Sequence, residues 1–413
     1  MKIIHVPRRF TRESWGGTET VVLETSKQLQ RTGHDVSIVT TQALCAETTD
    51  LIDGIPVSRT PHFYPYLGLP AGAREQLDRR AGNLFSFAML RELNAAPKVD
   101  LFHLHTGKRL GGIVRTAARR RGVPYVVSLH GGVYDVPAQE AQSWTEPTLG
   151  AFEWGRALGW AVGSRRVLDD AAAILCLSAE EQTRVQARHP GQRVELIPNG
   201  VNTEHFRAGN GARFRLEHGI PADRPMVLTI GRIDPQKNQR LALHAAERLR
   251  EQGLDVHLVL IGPVTHEAYA ASLRQEIEAR GLGHRVTLLP GAEPGSQTLV
   301  DAYHAADVFL LPSLHEPFGI VVLEAWAAGC PVVAARVGGV PGFVKNGTDG
   351  LLFDPTDAGD AVRALAGVLV NRPFARKLGH AGRMKACATY DWSAVTARVE
   401  GIYEEVVHAH PVR

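Results

Sequence analysis

Two short segments of this 413-residue chain gather residue types that can hold a charged, hydroxyl-bearing ligand. The first is Gly231-Arg232-Ile233-Asp234-Pro235-Gln236-Lys237-Asn238. It follows an apolar run at 226–230 and opens a helix. Arg232 and Lys237 therefore stand near a helix start, the end whose dipole favours anions. Two cations beside exposed N–H groups suit an anion. Arg offers phosphate oxygens a planar fork and Lys a point charge, and a diphosphate is the natural guest. Taken alone, the segment reads equally well as a solvated charged loop.

The second segment runs from His315 to Glu324 and follows an apolar run at 308–311. Pro317 and Gly319 shape the entry to a helix and leave the N–H groups of Phe318, Gly319 and Ile320 free for an anion. Glu316 can reach a ligand hydroxyl. Glu324 sits one to two turns into a helix that is otherwise apolar, where a lone carboxylate is costly without hydrogen-bond partners. A ribose diol would supply two donors; a solvent-facing Glu324 is the other reading. Weaker signals are Gly16-Gly17, which would let backbone approach a ligand, and His130-Gly131-Gly132, which puts an imidazole at the end of a strand. His105 could project in the same way. His103 and His105 share one strand face, but no third metal ligand is evident nearby. No G-x-G-x-x-G fingerprint, Walker loop, G-x-S-x-G elbow or zinc signature occurs at these places.

These loops need strands that end at one edge. Short apolar runs at 2–6, 34–40, 99–105, 124–130, 172–178 and 194–198 alternate with helical or irregular stretches, the first helix covering 19–31. After a turn-rich stretch at 198–211 the alternation restarts with runs at 226–230, 256–261, 286–289, 308–311 and 331–335. Helices are expected at 239–251, at 318–328 with Gly329 as its stop, and at about 392–408. Continuous apolar strands of this kind belong to parallel sheets covered on both faces. The fold class is therefore α/β, with two doubly wound, Rossmann-like domains facing across a cleft. Ligands of such sheets sit beyond the carboxyl ends of the strands.

Composition narrows the classes. Apolar residues make up 44% and charged residues 22%, which excludes a wholly disordered or fibrous chain. A net charge of +3 is too small to argue for a nucleic-acid binder. Four scattered cysteines without C-x-x-C spacing argue against a disulfide framework and fit a reducing compartment. The first ten residues lack the apolar core of a signal peptide, and no apolar stretch is long enough to span a membrane. A soluble, cytoplasmic protein is expected.

Four features in order along the chain resemble the retaining glycosyltransferase family 4, of GT-B fold. They are Gly16-Gly17, Gly231-Arg232 with Lys237-Asn238, Glu316 and Glu324 with seven residues between them, and the turn Gly338-Gly339-Val340-Pro341. The resemblance implies an acceptor-binding domain at 1–207, a donor-binding domain at 208–388, and a C-terminal helix at 389–413 returning to the first. It implies that Arg232 and Lys237 bind the diphosphate of a nucleotide sugar. Glu324 would hold the ribose. Glu316 would contact sugar hydroxyls with the backbone of Phe318, Gly319 and Ile320. Pro290 would lie near the base, Gly16 and Gly17 near the phosphates, and His130 at the sugar near the reacting centre. Catalysis would then rest on His130, Glu316, Arg232 and Lys237. Two departures are Asn202, where the family often has Asp, and Gly342, where it has Glu.

The expected activity is metal-independent, same-face transfer of a sugar, a hexose above all, from a nucleotide diphosphate sugar to a hydroxyl of a glycan, glycolipid or small molecule. UDP is the favoured nucleotide, and no cofactor or metal is required, since no Asp-x-Asp motif occurs. A GT-B sugar-nucleotide epimerase or phosphorylase and a non-catalytic nucleotide-sugar-binding protein stay open here. Tyr64-Pro65-Tyr66-Leu67-Gly68-Leu69 could stack on sugar or touch lipid, or, more commonly, pack locally. A basic helix at 113–121, with Arg115, Arg119, Arg120 and Arg121, admits peripheral contact with the inner face of an anionic membrane or, more simply, a solvated face. Oligomeric state is not legible.

Overall fold

The computed structural model describes residues 1–79, 82–131, 146–293 and 295–410. Gly132, named above beside His130, lies outside them. The chain divides into two compact units, Met1–Pro198 with Val395–Arg413, and Asn199–Ala394.

The first unit carries an eight-stranded sheet. Its strands are β1 (Lys2–Val6), β2 (Asp35–Thr41), β3 (Thr49–Ile52), β4 (Ile55–Thr60), β5 (Leu101–Leu104), β6 (Tyr125–Ser128), β7 (Ala173–Cys176) and β8 (Val194–Leu196). Their spatial order is β8-β7-β6-β5-β1-β2-β4-β3. All pairs are parallel except β3 with β4. The chain runs outward from β1 and resumes at β5 on β1's other side, so the topological switch point lies between these two strands. β5 and β7 are buried at every position, as a sheet covered on both faces requires. Helix α1 (Gly17–Arg31) starts two residues earlier than the expected 19–31. The β3–β4 hairpin went unread in the sequence. Its two-residue turn is Asp53-Gly54, with φ of 49° and 84°, the left-handed pair that a tight hairpin needs.

The second unit holds a six-stranded parallel sheet. Its strands are β9 (Met226–Ile230), β10 (His257–Ile261), β11 (Val286–Leu289), β12 (Val308–Leu311), β13 (Val332–Ala335) and β14 (Leu351–Phe353). The order β11-β10-β9-β12-β13-β14 again reverses beside the first strand, between β9 and β12. The expected runs match these strands closely, and only three-residue β14 was missed.

The turn-rich stretch after residue 198 is packed rather than free. Val201 pairs with Asp391 and is buried. Phe206 is buried, and Gly209 and Gly211 lie so close to His304 that a Cβ would come within 2.4 Å of it. Glycine here serves close packing rather than flexibility. Asn202 still makes its turn contact, its Oδ1 accepting from the His205 N–H at 3.0 Å. The C-terminal helix spans Trp392–Ala409, and from Val395 onward it groups with the first unit.

Two surface candidates are partly packed inside the first unit. In helix α2 (Lys108–Arg121), Arg115 is buried against Asp170, which also binds Arg119 at 3.1 Å. Arg121 donates to the Asn94 carbonyl at 2.7 Å. Much of the basic face is thus spent inside the unit. Tyr64 is buried too, its hydroxyl donating to Asp78 at 2.8 Å. No helix among the described residues is long and apolar enough to cross a membrane.

Candidate functional site

The loops after β9 and β12 flank the second unit's switch point, and hydrogen bonds zip them together. Leu314 N–H donates to the Gln236 carbonyl at 2.8 Å, and Asn238 Nδ2 donates to the Pro312 carbonyl at 3.2 Å. The β9 loop is pinned from below as well. Gly231 N–H bonds the Ile261 carbonyl at 2.9 Å, and Gly262 packs so tightly beneath it that a Cβ would lie 1.9 Å from the Gly231 oxygen. Asp234 caps the short turn Pro235–Lys237, accepting from the Lys237 N–H at 3.2 Å and the Thr265 hydroxyl at 3.1 Å.

This scaffold brings Lys237 and Glu316 into contact. Lys237 Nζ donates to Glu316 Oε2 at 2.5 Å, and the Ser313 hydroxyl adds a bond to the same oxygen at 3.3 Å. Glu316 is buried, whereas Arg232 is exposed in the same loop as Lys237. Arg232 reaches Gln236 at 3.1 Å and Asp234 at 3.4 Å. A third loop closes on these two. Gly338, at φ 52°, sits where a Cβ would be 2.1 Å from the Glu316 carbonyl oxygen, and Gly339 N–H donates to that oxygen at 3.1 Å. The glycine turn that counted only as a marker in the sequence therefore fixes the backbone that presents Glu316.

Helix α3 (Gln239–Glu251) follows the β9 loop, and after β12 Gly319, at φ 97°, turns the chain into helix α4 (Ile320–Ala327). Gly329 lies just beyond the end of α4 at φ 76°. The N–H groups of Phe318, Gly319 and Ile320 make no hydrogen bond to a described residue, as a helix start leaves them. The Phe318 ring turns inward and stacks on Phe343 with centroids 4.8 Å apart, so this residue can offer a ligand only its backbone. Glu324 is half-buried but not alone. Its Oε2 accepts from the Tyr303 hydroxyl at 2.7 Å. Burial raises its pKa above the usual carboxylate value, and the Tyr303 bond partly offsets that. Tyr303 went unread because it is one aromatic among apolar neighbours on its helix, with no local signal. Pro290 is exposed where β11 ends.

The remaining expected residues belong to the first unit. Gly16 is the N-cap of α1, Gly17 its first residue, and both leave the backbone uncovered by side chain. His130 follows β6 and is half-buried. His105 lies beneath it and is itself buried rather than projecting. Its Nδ1 is 2.9 Å from His130 Nε2.

The expectation that His103 and His105 lack a third imidazole is overturned. Parallel pairing sets His5 of β1 opposite His103 of β5, and one nitrogen from each of His5, His103 and His105 falls within 4.8 Å of the others. A separation of 98 residues in sequence hid this. The nitrogens are mostly engaged already. His103 binds the Ser128 hydroxyl at 2.7 Å and the Tyr403 hydroxyl, and His5 Nδ1 meets His105 Nε2 at 2.9 Å.

Residues 15–205 match the glycosyltransferase family 4 model and residues 212–385 the model of glycosyl transferases group 1. The chain is 31% identical over 404 residues to D-inositol 3-phosphate glycosyltransferase 2 of Catenulispora acidiphila, covering 95% of this chain and 90% of that one. Among solved structures, sucrose-phosphate synthase from Thermosynechococcus elongatus is similar at a TM-score of 0.77 and 23% identity, over 99% of each chain. Anabaena HepE in complex with UDP-glucose is similar at 0.71 and 19%, over 98% of this chain and 100% of that one.

Proposed function

We propose, from the premise that this chain belongs to glycosyltransferase family 4 and has the GT-B fold of two Rossmann-like domains, that it transfers a sugar from a UDP-sugar to an acceptor hydroxyl with retention of anomeric configuration. The observation that carries the donor reading is the Lys237–Glu316 contact at the switch point, with Arg232 in the same loop. A cation, a hydroxyl-seeking carboxylate and unpaired helix-start N–H groups suit a diphosphate joined to a sugar.

In this reading Arg232 and Lys237 neutralise the departing diphosphate. Glu316 aligns sugar hydroxyls, and Glu324 with Tyr303 holds the ribose. The bond from the anomeric carbon to the phosphate oxygen breaks as the acceptor oxygen bonds the same face. The acceptor's proton passes to the leaving phosphate oxygen. Rate enhancement then comes from charge stabilisation and positioning. No divalent metal is assigned a role, since no Asp-x-Asp motif is present.

The acceptor is assigned to the first unit. The Catenulispora relative's name makes an inositol phosphate the first acceptor to try.

A thermal-shift panel of nucleotide sugars tests the donor, since a ligand that binds the folded state raises the melting temperature by mass action. Product analysis with the best donor then decides the chemistry. An α-linked product from an α-linked donor supports retaining transfer. An inverted product, or isomerised donor with no acceptor consumed, overturns it.

A further inference from the structure

We propose that His105 and His5 form a buried relay that fixes the tautomer of His130 and makes its outward Nδ1 a hydrogen-bond donor. His130 Nε2 meets His105 Nδ1 at 2.9 Å, and His105 Nε2 meets His5 Nδ1 at 2.9 Å. The rings are nearly parallel along the row, with interplanar angles of 24° and 18°. His103 packs against both inner rings but uses its own nitrogens on Ser128 and Tyr403. The row therefore starts at His130 and ends at His5, whose Nε2 is buried without a partner among the described residues.

All three imidazoles are neutral near pH 7. Burial lowers His5 to about 3 and His130 to about 4. His105 is pushed well below its ordinary value by burial and by the neighbouring His103, His130 and His5. A neutral imidazole has one N–H and one lone pair, and each contact in the row consumes one of each. Only two arrangements satisfy both contacts. Either every ring carries its proton on Nδ1, or every ring carries it on Nε2. The second leaves an orphaned N–H at His5 in the core. The first leaves only a bare lone pair, the less costly defect because unpaired buried N–H groups are the rarer kind. The proton thus sits on Nδ1 throughout. His130 Nδ1–H faces outward, ready to donate to an oxygen and unable to accept a proton there. His5 and His105 are positioning residues, acting through His130.

The functional consequence rests on the reading that His130 meets the sugar; the tautomer itself does not. Nitrogen-15 spectra of the full, labelled chain near pH 7.5 should show a protonated Nδ1 and a bare Nε2 on His5, His105 and His130. His5→Leu should open the row, turn His130 into a mixture of tautomers and lower kcat about tenfold, one hydrogen bond's effect, with donor KM unchanged. His5→Asn, whose amide can still donate at the Nδ1 position, should restore both. A protonated Nε2 on these rings in the parent chain overturns the proposal, and this holds even if His5→Leu does not fold. An unchanged His130 tautomer in folded His5→Leu overturns it too. So does a chain that purifies with zinc, or takes up added zinc, through His5, His103 and His105. Should His130→Ala keep full activity while the spectra are as expected, the sugar-contact reading fails and the relay stands.

Discussion

Lys237 Nζ lies 2.5 Å from Glu316 Oε2, so the cation assigned to the diphosphate is already held by a carboxylate from the neighbouring loop. Both side chains are largely shielded from water, at 17% and 10% exposure, which makes each costly to leave unpaired. Removing either strands the other. Lys237→Ala and Glu316→Gln should each lower kcat/KM on the order of 100-fold, and the double variant should lose much less than the product of the two. Strictly multiplicative losses would mean the contact has no functional weight.

Arg232 offers a cleaner test of charge, because its exposed side chain holds no core together. Arg232→Ala should leave the melting temperature within the usual surface range, about 0.5 kcal/mol of stability. Turnover should fall by about 100-fold or more, as for removal of a group that stabilises leaving-group charge. Near-normal turnover would remove Arg232 from the donor site.

These two residues mark what the sequence could reveal. Arg232 and Lys237 are legible because the strand, loop and helix that carry them are contiguous, and period and turn chemistry are local properties. Most strands were legible for the same reason. The contacts that complete the site join distant positions: Tyr303 to Glu324, Gly338 to the Glu316 carbonyl, His5 to His105. Each arises from strand order or loop packing, which no single segment encodes. The glycines at 209 and 211 look like flexible chain in the sequence and are in fact packed against His304.

Gly338 should tolerate no side chain. At φ 52°, with a Cβ 2.1 Å from the Glu316 carbonyl oxygen, alanine must displace the loop that presents Glu316. Gly338→Ala should cost about 1–3 kcal/mol of stability and raise donor KM. Unaltered donor binding by calorimetry would show that this turn does not set the Glu316 geometry.

Glu324 separates stability from function. Its pKa is raised in the folded chain, chiefly by burial, above the ordinary value of 4.5. The folded state therefore favours the protonated form. That stabilisation is complete below pH 4.5 and is lost as pH rises through the folded value. At pH 8 the carboxylate is a burden on folding, so Glu324→Gln should melt at the same temperature as the parent or higher. The same variant should bind UDP about tenfold more weakly or worse, having lost a charged acceptor for the ribose. Parent-like UDP affinity would show that Glu324 does not touch the nucleotide.

The imidazole row makes an acid-sensitivity prediction of opposite sign. His5 and His130 titrate at about 3 and about 4 in the folded chain, against 6.5 for the free side chain, both because burial disfavours the cation. Above pH 6.5 neither state binds the proton and the groups leave stability untouched. Below it only the unfolded chain does, so stability falls from pH 6.5 downward and is fully lost once the folded values are passed. Each unit of separation is worth about 1.4 kcal/mol. The melting temperature should therefore drop between pH 7.5 and pH 5, and His5→Asn, which removes one of these groups, should flatten that drop while leaving some slope from His130, His103 and His105. A drop as steep in His5→Asn as in the parent would place the acid sensitivity elsewhere in the chain.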